Sequence, residues 1–126
     1  MIYTLKTRRV LFLVIAGIFI LAVIYHIVAA FYSIDESPVW RHLLFIAINL
    51  FCVYGVLKRP RYFLYFFVLF IVQQYYSHGS YLVMLWQQKN KIHWISIFDL
   101  LLLPLILMCL VKEYRIKYHV IKTPRR

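Results

Sequence analysis

Asp99 is the most chemically loaded residue of this sequence, because it is the only carboxylate inside a long apolar run. An Asp at the centre of a membrane helix costs about 2.5–3.5 kcal/mol on the insertion scale, so an acid in such a place is a candidate functional residue. Imidazole, amide and hydroxyl groups accompany it: His78, Gln73, Gln74, Ser77 and Tyr81 on one segment and Asn49 on another. With Asp99 these form the candidate ligand-binding set, for a small ligand, a lipid headgroup or an ion. The alternative is a redox enzyme in which His26, His78 and Asp99 hold a metal ion, or the two histidines a haem.

Catalytic signatures are absent. The sequence has no H-E-x-x-H or H-x-x-E-H helix, no G-x-S-x-G elbow, no P-loop and no G-x-G-x-x-G turn, so hydrolysis and nucleotide chemistry lack support. Cys52 and Cys109 stand alone in apolar runs without a C-x-x-C pair and read as small hydrophobes. A binding protein, or an accessory subunit of a membrane complex, is therefore expected before an enzyme.

The elements that must position these residues are apolar helices. The chain has 126 residues, 64% hydrophobic and 15% charged, far more apolar than a soluble domain can bury. Runs at residues 10–32, 39–57, 62–86 and 92–111 are each near the ~20 residues a helix needs to cross a bilayer core. Short polar gaps between them make sequential neighbours antiparallel. The expected fold is an all-α, four-helix transmembrane bundle, up-down-up-down, followed by a basic tail at 112–126. The first run resembles a signal peptide at its ends, but its apolar core exceeds the usual ~7–15 residues, so an uncleaved anchor is expected.

Direction follows from the basic residues. Lys6, Arg8 and Arg9, then Lys58, Arg59 and Arg61, then Lys112, Arg115, Lys117, Lys122, Arg125 and Arg126 fall on one side, against Arg41, Lys89 and Lys91 on the other. The bias of twelve to three, with Asp35 and Glu36 on the poorer side, places both termini in the cytoplasm. The net charge of +11 is then a property of insertion and of contact with anionic lipid at the cytoplasmic face, not of nucleic-acid binding. A plasma membrane of the bacterial inner type is the expected location, with a membrane-protein partner or a second copy as the other conceivable partners.

With this orientation the polar residues collect in the outer halves of the helices. On the third run Gln73, Gln74, Ser77, His78, Ser80 and Tyr81 fall within an arc of roughly 160° at 100° per residue. On the fourth, His93, Ser96 and Asp99 rise along one side, and on the second, His42 and Asn49 share a face. At ~1.5 Å per residue Asp99 lies about 8 Å from Trp94, His26 about 9 Å from Tyr32 and His78 about 12 Å from Trp86, so a common level is expected. His26 taken singly reads as a structural partner between helices, and His42 and His93 as wet residues near the interface. Trp40, Trp86 and Trp94 read as interfacial anchors at the outer ends, and Tyr62 and Tyr114 at the inner ends. Pro104, lacking an N–H, should free the carbonyl of Leu100 beside the acid.

Overall fold

A computed structural model describes residues 5–34 and 37–119. The loop acids Asp35 and Glu36 and the tail cations Lys122, Arg125 and Arg126 lie outside the described residues. The described residues form an all-helical protein, with α1 at Leu5–Tyr32, α2 at Val39–Lys58, α3 at Arg61–Lys89 and α4 at Trp94–His119. Three of these, α1, α2 and α4, are long and apolar enough to cross a membrane. α3 has 29 residues, but polar groups from Gln73 to Ser80 dilute its second half.

The helices overrun the apolar runs because nothing stops them there. Lys, Arg, Gln and Glu are good helix formers, so α1 begins among its basic residues and α4 continues from Val111 to His119 through what the sequence marks as tail. What ends them is local. Ser33, Arg59 and Asn90, each the first residue past a helix, take the left-handed conformation with φ of 48°, 53° and 48°. The Arg59 N–H then reaches the Gly55 carbonyl at 2.7 Å and the Asn90 N–H the Trp86 carbonyl at 3.2 Å.

The chain divides into two compact units, Met1–Pro60 and Arg61–Arg126, each a helical hairpin. In the first, the buried residues of α1 are Phe12, Ile15, Ala16, Phe19, Val23 and Ala29. Those of α2 are His42, Phe45, Asn49, Cys52, Gly55 and Val56. At 100° per residue each set falls within an arc of roughly 140°, one face of its helix, and the small members let the backbones approach. The Arg59 guanidinium lies over the Phe12 ring at 4.7 Å, tying the end of α2 to the start of α1.

The second hairpin has the same spacing but changes chemistry along its length. On α3 the buried face runs Phe63, Phe67, Phe70 and then Gln74, followed by the half-buried Ser77, His78 and Tyr81. On α4 it runs from Ser96 and the half-buried Asp99 to Leu103, Ile106 and Leu110, ending at Glu113 and Tyr114. The polar half lies at the end where residues 90–93 join the helices; the other half is packed by aromatic and aliphatic side chains. Trp40, Trp86 and Trp94 are exposed, as interfacial anchors would be, whereas Tyr114, expected to be an anchor, is 7% exposed because it faces the interior of the helix pair.

Candidate functional site

The polar half of the second hairpin is built around Ser96. Its Oγ lies 2.8 Å from His78 Nδ1 and 2.8 Å from His93 Nδ1, so one fully buried hydroxyl joins α3 to the residue preceding α4. The Ser96 backbone N–H also donates to His93 Nδ1 at 3.3 Å. This is the bond an N-cap side chain makes to the third residue of a helix, here supplied by imidazole. It explains why α4 begins at Trp94 instead of Ile92. The Tyr81 ring stands edge-on to His93, centroids 5.3 Å apart.

These contacts determine a proton order. His93 Nδ1 accepts from an amide N–H and therefore carries a lone pair, so the Ser96 hydroxyl donates to it. The hydroxyl oxygen is left to accept from His78, which places a proton on His78 Nδ1. In the neutral ring the lone pair then sits on Nε2, and Nε2 is 3.8 Å from Asp99 Oδ2. That separation suits an ion pair but exceeds a hydrogen bond. The His78 imidazole and the Asp99 carboxylate thus face each other across the α3–α4 pair. The Asp99 side chain, 41% exposed, is open to a donor from outside.

The structure thus brings together His78, Asp99 and Tyr81 from the sequence set, and adds Ser96 and His93. Gln74 is buried and donates to Gln73 Oε1 at 2.8 Å; Gln73 itself and Ser80 are exposed, so the sequence stripe is only partly inward. Ser77 is half-buried on the same face as His78. Asn49 belongs to the first hairpin, where its amide donates to the Phe45 carbonyl at 2.7 Å. His93, expected to be merely wet, is a helix cap. The signal for it was in the sequence: a polar residue just ahead of the apolar run, three before a serine.

Pro104 leaves the Leu100 carbonyl without its helical donor, as its sequence position requires. The hydroxyl of Tyr75, one helix away, donates to that carbonyl at 2.6 Å. This cross-helix bond sits one residue along the chain from Asp99 and holds the two helices in register at the depth of the acid.

In the first hairpin His26 Nδ1 lies 3.1 Å from His42 Nδ1, one ring donating and the other accepting. His26 stacks on Phe45, rings 13° from parallel and 5.0 Å apart. His42, also expected to be wet, is 3% exposed, because its place on the α2 face turns it into α1. The metal or haem alternative calls for His26, His78 and Asp99 together. Among the described residues no group of three or more His, Cys, Asp or Glu side chains is placed to hold a metal ion.

A chain whose described residues are all-helical, with three helices long and apolar enough to cross a membrane, is compatible with a multi-pass membrane protein. No protein-family model, curated protein or solved structure matches the chain.

Proposed function

We infer that this is a membrane protein of four crossings, with both termini in the cytoplasm, that binds a small cationic hydrogen-bond donor in the outer half of its α3–α4 hairpin. The Asp99 carboxylate, 41% exposed and 3.8 Å from His78 Nε2, carries the reading. An ammonium group supplies several donors and a charge opposite to the carboxylate, and hydrogen bonds to charged groups contribute about 1.5–3 kcal/mol. Tyr81 and Ser77 are half-buried on the same face of α3.

The four-crossing topology rests on the charges. If α3 did not cross, Lys58, Arg59 and Arg61 would lie on the opposite side from Lys112, Arg115 and Lys117, and the positive clusters would be split by the membrane. With α3 crossing, all lie on one side. Its 29 residues extend ~43 Å at the helical rise, enough for a core of ~30 Å.

Methylammonium is a suitable probe. In protein labelled with ¹⁵N-histidine, the resonances assigned by single replacement should show the His78 ring protonated on Nδ1 and the His93 ring on Nε2 alone. Saturable addition of methylammonium should move the His78 Nε2 resonance and leave His26 unmoved. A His78 resonance indifferent to methylammonium would remove the ligand class.

A further inference from the structure

The opposite end of the second hairpin holds a cavity of about 510 Å³ between the first turns of α3 and the last turns of α4. Its volume is in the range of small-molecule sites. Two guanidiniums, Arg61 and Arg115, line it with the phenols of Tyr65, Tyr114 and Tyr118, and Leu64 and Val111 supply its apolar wall. No carboxylate is among the lining residues. Glu113, next in sequence to Tyr114, is buried and does not line it.

One of the two guanidiniums is fixed by a ring of the lining. Arg61 lies over Tyr118 at 4.6 Å from the ring centroid, and the Lys117 ammonium approaches the same ring at 5.5 Å. Stacking on a phenol fixes the guanidinium plane and leaves its edge donors to point elsewhere. Two guanidiniums lining one cavity that no carboxylate lines favour an anion as its occupant. Planar guanidinium forks match phosphate oxygens in pairs, and phenol hydroxyls add single donors.

We propose that this cavity binds the phosphate headgroup of an anionic phospholipid, with the first methylenes of its chains against Leu64 and Val111. The apolar wall beside the cations favours a lipid over a free anion, since free phosphate gains nothing from Leu64 and Val111. The inner leaflet as the source rests on the topology proposed above; the phosphate chemistry does not, and neither depends on the His78–Asp99 site.

Native mass spectrometry of the detergent-purified full chain, incubated with equimolar phosphatidylglycerol and phosphatidylcholine, tests this. One phosphatidylglycerol per chain should be retained with at least a tenfold preference. Arg61→Gln with Arg115→Gln should abolish the preference, while Lys6→Gln with Arg9→Gln, the same change in net charge on the other hairpin, should preserve it within twofold. Leu64→Trp fills the cavity without altering charge and should also release the lipid, and circular dichroism should show unchanged helicity in all variants. Equal loss in both charge-altered pairs would reduce the effect to general basicity and overturn the site. Retention in Leu64→Trp would overturn the cavity as its place, and displacement by millimolar inorganic phosphate would overturn the lipid in favour of a free anion.

Discussion

Asp99→Asn should lower methylammonium affinity by roughly 10- to 150-fold, the equivalent of losing one charge-assisted hydrogen bond. Asparagine has nearly the same volume and can still accept through its carbonyl, so insertion and helix packing should be unaffected. Only the charge is gone, and with it the reason a cation prefers this position. His78→Ala should produce a loss of similar size, because it removes the second acceptor and leaves the Ser96 hydroxyl without its donor from α3. The double variant should bind no more than a few-fold worse than either single one, since residues that form one site are not additive. Strictly additive losses in calorimetric titrations would mean that the two groups act separately. Unchanged affinity in Asp99→Asn would mean that the carboxylate does not touch the ligand.

Tyr75→Phe should destabilise the second hairpin by about 1–3 kcal/mol, the cost of stranding a polar group in an apolar environment. The Leu100 carbonyl has lost its helical donor to Pro104, and the Tyr75 hydroxyl at 2.6 Å takes that donor's place. In a bilayer no water is at hand to replace it. Restoring the helical N–H should repair the defect, so Pro104→Ala combined with Tyr75→Phe should recover most of the lost thermal stability. Pro104→Ala alone should be neutral or stabilising. Equal melting temperatures for wild type and Tyr75→Phe would show that the bond contributes nothing.

The four helices were legible because apolar runs of membrane length admit few other structures, and the short gaps between them leave little choice of connection. Their ends were less so: a hydropathy pattern stops at Val111, while the backbone of α4 continues to His119 because Lys112, Glu113 and Arg115 favour helix as well as leucine does. Asp99 and His78 were legible as partners from depth and face alone. His93 was misjudged because its position near an interface suggested solvent, whereas its relation to Ser96 is that of a cap, a matter of three residues of spacing and not of depth. His42 was misjudged similarly, its burial decided by the face it shares with Phe45 and Asn49. Tyr75 lies outside the polar arc of α3, so its face does not mark it as a partner. The proline four residues beyond Leu100 announced a carbonyl in need of a donor, but which side chain would supply it depends on the pairing of α3 with α4.

Cysteine labelling in sealed right-side-out vesicles, with Cys52 and Cys109 first replaced by alanine, tests most directly whether an outward-facing polar site exists. Asn90→Cys and Ser77→Cys should react with a membrane-impermeant maleimide from outside, and methylammonium should slow the reaction at Ser77. Arg59→Cys should react only after the vesicles are opened, and Leu107→Cys, on the apolar stretch of α4, should stay unreactive throughout. External labelling at Arg59, or labelling of Leu107 as fast as Ser77, would contradict the topology in the first case and a closed outer-half site in the second.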